Sequence, residues 1–286
     1  MLTFREPDKF CKVINNFRLR NKNIGFVPTM GALHEGHLSL IRQARKDNDI
    51  IAVSIFVNPK QFGQREDLKK YPRPFKKDLA LCRREKVDFV FLPKKEDIYP
   101  QGFSTYVDVE GSSDCLCGKS RPGHFRGVTT VVTKLLNIAQ PDILYLGQKD
   151  AQQAAIIRRM VLDLNIPVKI KVMPTVREKD GLALSSRNMY LSKNEKKDAL
   201  VLSQALNLAK ILIANGAQDT QRIITRMRGL IRKRKSAKID YIEIVDSGSL
   251  KPVKKITGNC LVALAVYIGK TRLIDNLTIG TPLALA

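Results

Sequence analysis

The stretch Ile50-Ile51-Ala52-Val53-Ser54-Ile55-Phe56-Val57 is an almost unbroken apolar run. Side chains alternate between the two faces of a strand, so a strand apolar at nearly every position must be covered on both sides. That is the situation of a parallel sheet between two layers of helix. Other short apolar runs follow the same logic at Ile24 to Val27, Val87 to Leu92, Asp142 to Leu146 and Val168 to Val172, and Thr105 to Val109 reads as a further short strand. Helical periodicity separates them. Phe10, Val13, Ile14 and Phe17 share one face over Asp8 to Lys22, Leu38, Ile41 and Ala44 share another, and Asp78 to Arg84, Val128 to Ala139 and Ala151 to Leu164 continue the pattern. Strand and helix alternate from residue 23 to 175, which predicts an α/β fold, a Rossmann-like doubly wound parallel sheet. Pro174 to Ser192 is polar and turn-rich. Beyond it come long helical patterns, Asp198 to Ala214 and Asp219 to Arg234, and strands at Asp240 to Val245, Cys260 to Tyr267 and Arg272 to Leu277. The expected organisation is a larger domain over 1–175 and a smaller α+β domain over 176–286.

Composition narrows the setting more than the chemistry. A hydrophobic content of 44% in 286 residues supports one large or two modest packed domains. No apolar run approaches the ~18 residues that span a bilayer. Met1 to Phe10 lacks the apolar core of a secretory signal. The five cysteines are odd in number and scattered, which fits free thiols in a reducing cytoplasm. The net charge of +23 attracts anions, but it does not choose between a polyanion and a small phosphorylated or carboxylated substrate. An RNA-binding module is the alternative that charge suggests. The aromatic content of 6% and the lack of an aromatic RNP pattern count against it.

In a doubly wound sheet, ligands bind at the carboxyl ends of the strands. The loops at 28–37, 58–63 and 147–150 all follow strands and should open on one crevice. The first holds Pro28, Gly31 and Gly36 with His34 and His37, two of only three histidines in the chain. His34-Glu35-Gly36-His37 is one residue short of the H-E-x-x-H spacing that puts two zinc ligands on one helix face. Gly118-Lys119-Ser120 has Ser113 where a P-loop needs its first glycine, Cys115-x-Cys117 has no second Cys/His pair nearby, and no G-x-G-x-x-G follows the first strand. The preferred reading is a phosphate site: glycines admit the backbone, a helix N-terminus offers N–H donors, and imidazolium groups donate to phosphoryl oxygens. A merely structural turn stays open. Lys149-Asp150 is either a surface ion pair or a phosphate ligand with its partner. Leu184-Ser185-Ser186-Arg187-Asn188 is either a triphosphate clamp or a capped turn.

These stretches together resemble the pantothenate synthetase (pantoate–β-alanine ligase) family of the nucleotidylyltransferase superfamily. The resemblance covers nearly the whole chain and lies in Val27-Pro28-Thr29-Met30-Gly31 with Leu33-His34-x-Gly36-His37, in Ser54 to Phe62, in Tyr71-Pro72-Arg73, in Arg121-Pro122-Gly123-His124-Phe125, in Gly147-x-Lys149-Asp150-x-Gln152-Gln153 and in Asp180 to Asn188. The histidine pair looks like the HIGH signature of class I aminoacyl-tRNA synthetases. The resemblance implies ATP-dependent activation of pantoate as pantoyl adenylate, then capture by β-alanine to give pantothenate, AMP and pyrophosphate. It implies ATP contacts from Met30, Gly31, Ala32, Leu33, His34, Glu35, Gly36 and His37, and from Gly147, Gln148, Lys149, Asp150, Val176, Leu184, Ser185, Ser186 and Arg187. His34, His37, Lys149 and Arg187 would be catalytic, with His37 the proton donor. Gln61 and Gln153 would hold pantoate, Asn58 would support them, and Gln61 would also lie near β-alanine. Mg²⁺ would accompany ATP through phosphate oxygens, and Asp78 is the one carboxylate left after Tyr71-Pro72-Arg73 to approach it. The resemblance further implies a cytoplasmic homodimer with small-molecule partners, no nucleic acid and no membrane.

Overall fold

The computed structural model describes residues 1–64 and 66–280. Six strands form one sheet: Leu2–Phe4 (β1), Ile24–Thr29 (β2), Ile50–Ile55 (β3), Phe89–Phe91 (β4), Ile143–Gly147 (β5) and Lys169–Met173 (β6). Their spatial order is β1-β4-β3-β2-β5-β6, with every neighbouring pair parallel. Ten α-helices occur among the described residues: Pro7–Arg18 (α1), Glu35–Asp47 (α2), Phe75–Arg84 (α3), Lys95–Ile98 (α4), Cys117–Ser120 (α5), His124–Ala139 (α6), Ala151–Asp163 (α7), Lys193–Ala199 (α8), Val201–Ala214 (α9) and Thr220–Ile231 (α10). Three further strands, Ala237–Asp246 (β7), Cys260–Ile268 (β8) and Thr271–Ile279 (β9), form an antiparallel sheet in that order.

The apolar run at 50–57 behaves as its pattern requires. Ile51, Val53 and Ile55 pack on one side of the sheet with Leu38, Ile41 and Ala44 of α2. Ala52 lies on the other side, in a core shared with Phe10 and Ile14 of α1 and with Leu135 and Leu136 of α6. A separate core joins Leu202, Leu206, Ile223 and Met227 of α9 and α10 to Ile242, Val262, Leu264 and Val266 of the antiparallel sheet.

Some expectations shift. Thr105 to Val109 is not a strand. Its backbone is satisfied by side chains of α6 instead: Thr130 Oγ1 accepts from the Val107 N–H and Thr129 Oγ1 donates to the Val107 carbonyl. Leu2–Phe4 pairs with Phe89–Phe91 at the sheet edge, a three-residue strand too short to show a period. The helical pattern near residue 198 is two helices, because Ser192 and Glu195 form a capping box that starts α8 earlier.

The sheet order reverses between β2 and β5. From β2 the chain progresses to β3 and β4 on one side, while β5 and β6 lie on the other. This switch point opens a crevice at the carboxyl ends of β2 and β5. At the other end of β2, Gly25 lets the strand pack closely against α2 and β5. A β-carbon on it would stand 2.6 Å from Asn48 Nδ2, which already donates to Ala44 O and to Tyr145 Oη. Gly25→Ala is therefore expected to lower stability by about 1–3 kcal/mol through overpacking, read as a drop in the urea midpoint.

Candidate active site

The wall at the end of β2 is built by hydrogen bonds to the main chain. Thr29 Oγ1 accepts from the Gly31 N–H, Gly31 takes a left-handed φ of 81°, and Ala32 follows at 51°. The fully buried carboxylate of Asp78, on α3, accepts from the Ala32 and Leu33 N–H groups at 2.9 and 2.8 Å. Both Asp78 oxygens are thus committed to the turn. Its place is behind the wall, and the expected approach to a metal ion does not fit that position.

His34 is the N-cap of α2, and its Nδ1 accepts from the Gly36 N–H at 3.2 Å. His37 Nδ1 accepts from the His34 N–H at 3.3 Å, and the two rings stand 4.2 Å apart. An imidazole that accepts at Nδ1 carries its proton on Nε2. Burial lowers the His34 pKa to about 4, helped by the positive charge of Lys149. Burial, His34 and Lys149 together lower His37 to about 3. The pair is therefore neutral at pH 7 and offers Nε2–H donors. The expectation of imidazolium groups gives way to this, since two cations side by side next to a lysine are electrostatically unfavourable.

Across the crevice, β5 ends at Gly147 and passes through a 3-10 turn, Gln148–Asp150, into α7. Lys149 Nζ is 3.7 Å from Asp150 Oδ1. A third wall comes from the loop after β3. Asn58, 1% exposed, uses both amide hydrogens, on Gly127 O and Gln61 Oε1, while its Oδ1 accepts from the Lys60 N–H and Tyr99 Oη. Gln61 Oε1 being taken, its Nε2 is the end left to donate, and it lies 2.8 Å from Met30 Sδ. His124 Nδ1–H donates to the Gln61 carbonyl at 2.8 Å, and Arg121 donates to the same carbonyl at 3.3 Å and to both oxygens of Glu66. Gly127 makes this close packing possible, because a β-carbon there would stand 2.2 Å from Lys60 O.

The fourth wall is the segment after β6. Ser185 caps the turn Ser186–Tyr190 by accepting from the Arg187 N–H, and Ser186 Oγ lies 3.2 Å from Tyr71 Oη. The Arg187 guanidinium forms two hydrogen bonds to Asp67, at 3.0 and 2.9 Å. Burial alone would lower the Arg187 pKa, but the bonds to Asp67 outweigh it and raise the value.

These walls enclose a cavity of about 230 Å³. Met30, His34, Gly36, His37, Gly147, Lys149, Asp150, Val176, Leu184, Ser185, Ser186 and Arg187 all line it, and so do Asn58, Gln61 and Gln153. Gly31, Ala32 and Leu33 shape the turn behind it. Glu35 pairs with Arg42 outside it, and Gln148 turns away to Asn276 and Thr278. Lys119 pairs with Glu243 and Ser120 with Asp240, so the incomplete P-loop sequence is occupied by contacts to β7. Tyr71, Arg121 and His124 also line the cavity. Their stretches carried the resemblance, but a role exercised through a main-chain carbonyl or a partner hydroxyl leaves no spacing signature.

The model of the family described as pantoate-beta-alanine ligase matches residues 2–278. The chain belongs to that family. A pantothenate synthetase from Caldicellulosiruptor bescii is 51% identical over 279 residues, which span 98% of this chain and 99% of that one. One from Fervidobacterium nodosum is 55% identical over 278 residues, spanning 97% and 98%. Among solved structures, pantothenate synthetase from Thermus thermophilus superposes with a TM-score of 0.93 at 40% identity, covering 98% of this chain and all of that one. Pantoate-beta-alanine ligase from Francisella tularensis, solved in complex with beta-gamma ATP and beta-alanine, gives 0.79 at 38% identity, covering 97% of each. The RNA-binding alternative finds no support in these relatives.

The ligase's three histidines share one electrostatic property. Burial, then Arg121, lowers His124 to about 4, so all three titrate below the ordinary 6.5. Between pH 6.5 and 4 the unfolded chain takes up protons that the folded chain refuses. The stability these groups contribute is thus complete above pH 6.5 and is lost as pH falls toward 3. The urea midpoint is expected to fall from pH 7 to pH 5, and to fall less in the His34→Gln/His37→Gln variant. An identical slope in both would remove the two histidines from the linkage.

Proposed function

We propose that this cavity carries out the ligation in two steps, with ATP bound between the α2 N-terminus, Lys149 and the Ser185-Ser186-Arg187 wall, and with pantoate against Gln61 and Gln153. The observation that carries the reading is the convergence of the neutral His34–His37 pair and Lys149 on one side of a cavity whose other side presents the Gln61 amide. Cations and N–H donors suit phosphates. Two glutamine amides, Gln61 and Gln153, in one lining suit a small hydroxy acid.

In the first step a pantoate carboxylate oxygen attacks the α-phosphorus, and pyrophosphate leaves with the electrons of the broken P–O bond. Negative charge builds on the phosphoryl oxygens. Lys149 and the Nε2–H groups of His34 and His37 are placed to stabilise it, along with the hydroxyls of Ser185 and Ser186. An incoming triphosphate raises the histidine pKa values, but His37 starts from about 3. At the outset it is a hydrogen-bond donor through Nε2–H, and the proton-donor role rests on how far the triphosphate raises that value. Arg187 enters already paired, and its bonds to Asp67 must be shared or exchanged when phosphate arrives. In the second step the β-alanine amine attacks the acyl carbon, the bond to AMP breaks, and the nitrogen releases a proton to solvent.

Mg²⁺ travels with ATP as part of the substrate and neutralises phosphate charge through phosphate oxygens and water. Among the described residues lining the cavity Asp150 is the one carboxylate, and it already pairs with Lys149. The proposed division into 1–175 and 176–286 is supported by one core around the parallel sheet and another around the antiparallel sheet, while a smaller cluster of Leu116 and Ala151 with Val245 and Leu261 joins the two parts. The homodimer and the cytoplasmic location rest on family resemblance, and sedimentation velocity tests the first.

AMP formation is expected to require ATP, pantoate and β-alanine together, and AMP release that ignores β-alanine would sink the ligase reading. Lys149→Ala should lose at least ~3 kcal/mol of transition-state stabilisation, about a hundredfold or more in turnover, as when one oxyanion donor is removed. Gln153→Ala should raise KM for pantoate and leave KM for ATP unchanged. The reverse pattern would reassign the acid pocket.

A further inference from the structure

The side chain of Asn276, on β9 of the antiparallel sheet, reaches the loop that carries Lys149. Its Nδ2 donates to Gln148 O and to Lys149 O, each at 2.9 Å, and its Oδ1 accepts from Gln148 Nε2 at 3.0 Å. Gln148 Nε2 also donates to Thr278 Oγ1. Asn276 is 7% exposed. The amide orientation is set by chemistry, because a flipped amide would point Oδ1 at two carbonyl oxygens. Both N–H bonds of one planar group thus span two successive carbonyls of the 3-10 turn before α7.

The preceding residue holds a second wall. Asp275, 2% exposed, takes two hydrogen bonds from Arg177, at 2.7 and 2.9 Å. Arg177 also donates to Gly181 O, and it pairs with Ala183 in the turn that presents Leu184 to Arg187. Asp275 Oδ1 also accepts from the Asn276 N–H at 2.8 Å. Two adjacent residues of one strand therefore tie together the lysine loop and the serine–arginine segment.

We propose that Asn276 is a positioning residue for the adenylation step: it fixes the backbone from which Lys149 reaches the α-phosphate, and with Asp275 it sets the spacing between the two cationic walls. The proposal rests on the reading of Lys149 given above. A lysine side chain is long and flexible, so the place of its backbone decides what its ammonium can reach. A displacement of about 1 Å at such a site costs up to about a hundredfold in rate.

Pantoate-dependent ATP–pyrophosphate exchange without β-alanine isolates this step. Asn276→Ala is expected to lower kcat for exchange about 10- to 100-fold, with KM for pantoate changed far less, because Gln61 lies after β3 and Gln153 is held within α7. Asn276→Asp keeps the shape and the acceptor for Gln148 but loses both donors, and it should show the same fall. Should the alanine variant not fold, the aspartate variant decides. In a Lys149→Ala background, Asn276→Ala should change the rate less than about twofold, since the two act through one group. Wild-type exchange in Asn276→Asp, or a loss that multiplies in full onto Lys149→Ala, overturns the positioning role. Wild-type exchange in Lys149→Ala instead removes Lys149 from the phosphate site, and the role of Asn276 with it.

Discussion

A single buried carboxylate holds the turn on which the histidine wall of the cavity depends. The chain leaves β2 through Gly31 and Ala32, both at positive φ, and arrives at the first residue of α2 with its N–H groups facing inward. Asp78 accepts two of them. Without it, two buried donors would lack partners, at a cost of about 1–3 kcal/mol each. The turn would then be free to relax away from the strained conformation. The reciprocal bonds of His34 and His37 sit one step further along, and their geometry presupposes that the turn ends where it does. A residue that touches no substrate in this arrangement thus decides where the imidazoles point.

Much of the fold was legible because burial on both faces of a strand imposes a composition that water-facing strands do not show. The parallel sheet and its helices follow from runs such as Ile50 to Val57, and the crevice follows from where those runs end. Irregular segments were not legible. Val107 obtains its hydrogen bonds from Thr129 and Thr130, threonines that in sequence look like ordinary helix residues. The site divided in the same way. Residues whose type names their chemistry, such as His34, His37, Lys149 and Arg187, could be read, and all of them line the cavity. Their states could not. The neutrality of the histidines comes from burial and from the proximity of Lys149. The pairing of Arg187 with Asp67 bridges segments that only the folded chain brings together.

The electrostatics of the site run against the charge of the whole. A chain with net charge +23 would be expected to meet phosphate with bare cations. Instead Arg187 and Arg121 are each held by a carboxylate, Asp67 and Glu66, and the imidazoles are uncharged. Lys149, itself 3.7 Å from Asp150, is the cation that acts on both histidines at the N-terminus of α2. A pocket balanced in this way avoids self-repulsion before ligand arrives and leaves its donors oriented.

The strand order has a consequence for how the protein is made. β2 is made before its partner β5 at residues 143–147, and Asn276 follows later still. The two sides of the cavity are therefore separated in time as well as in sequence. A nascent chain holding the histidine turn has neither the Lys149 loop nor Asn276, which hydrogen-bonds its carbonyls. Non-local pairing of this kind forms slowly, so the crevice closes only after β2 and β5, more than a hundred residues apart, have paired.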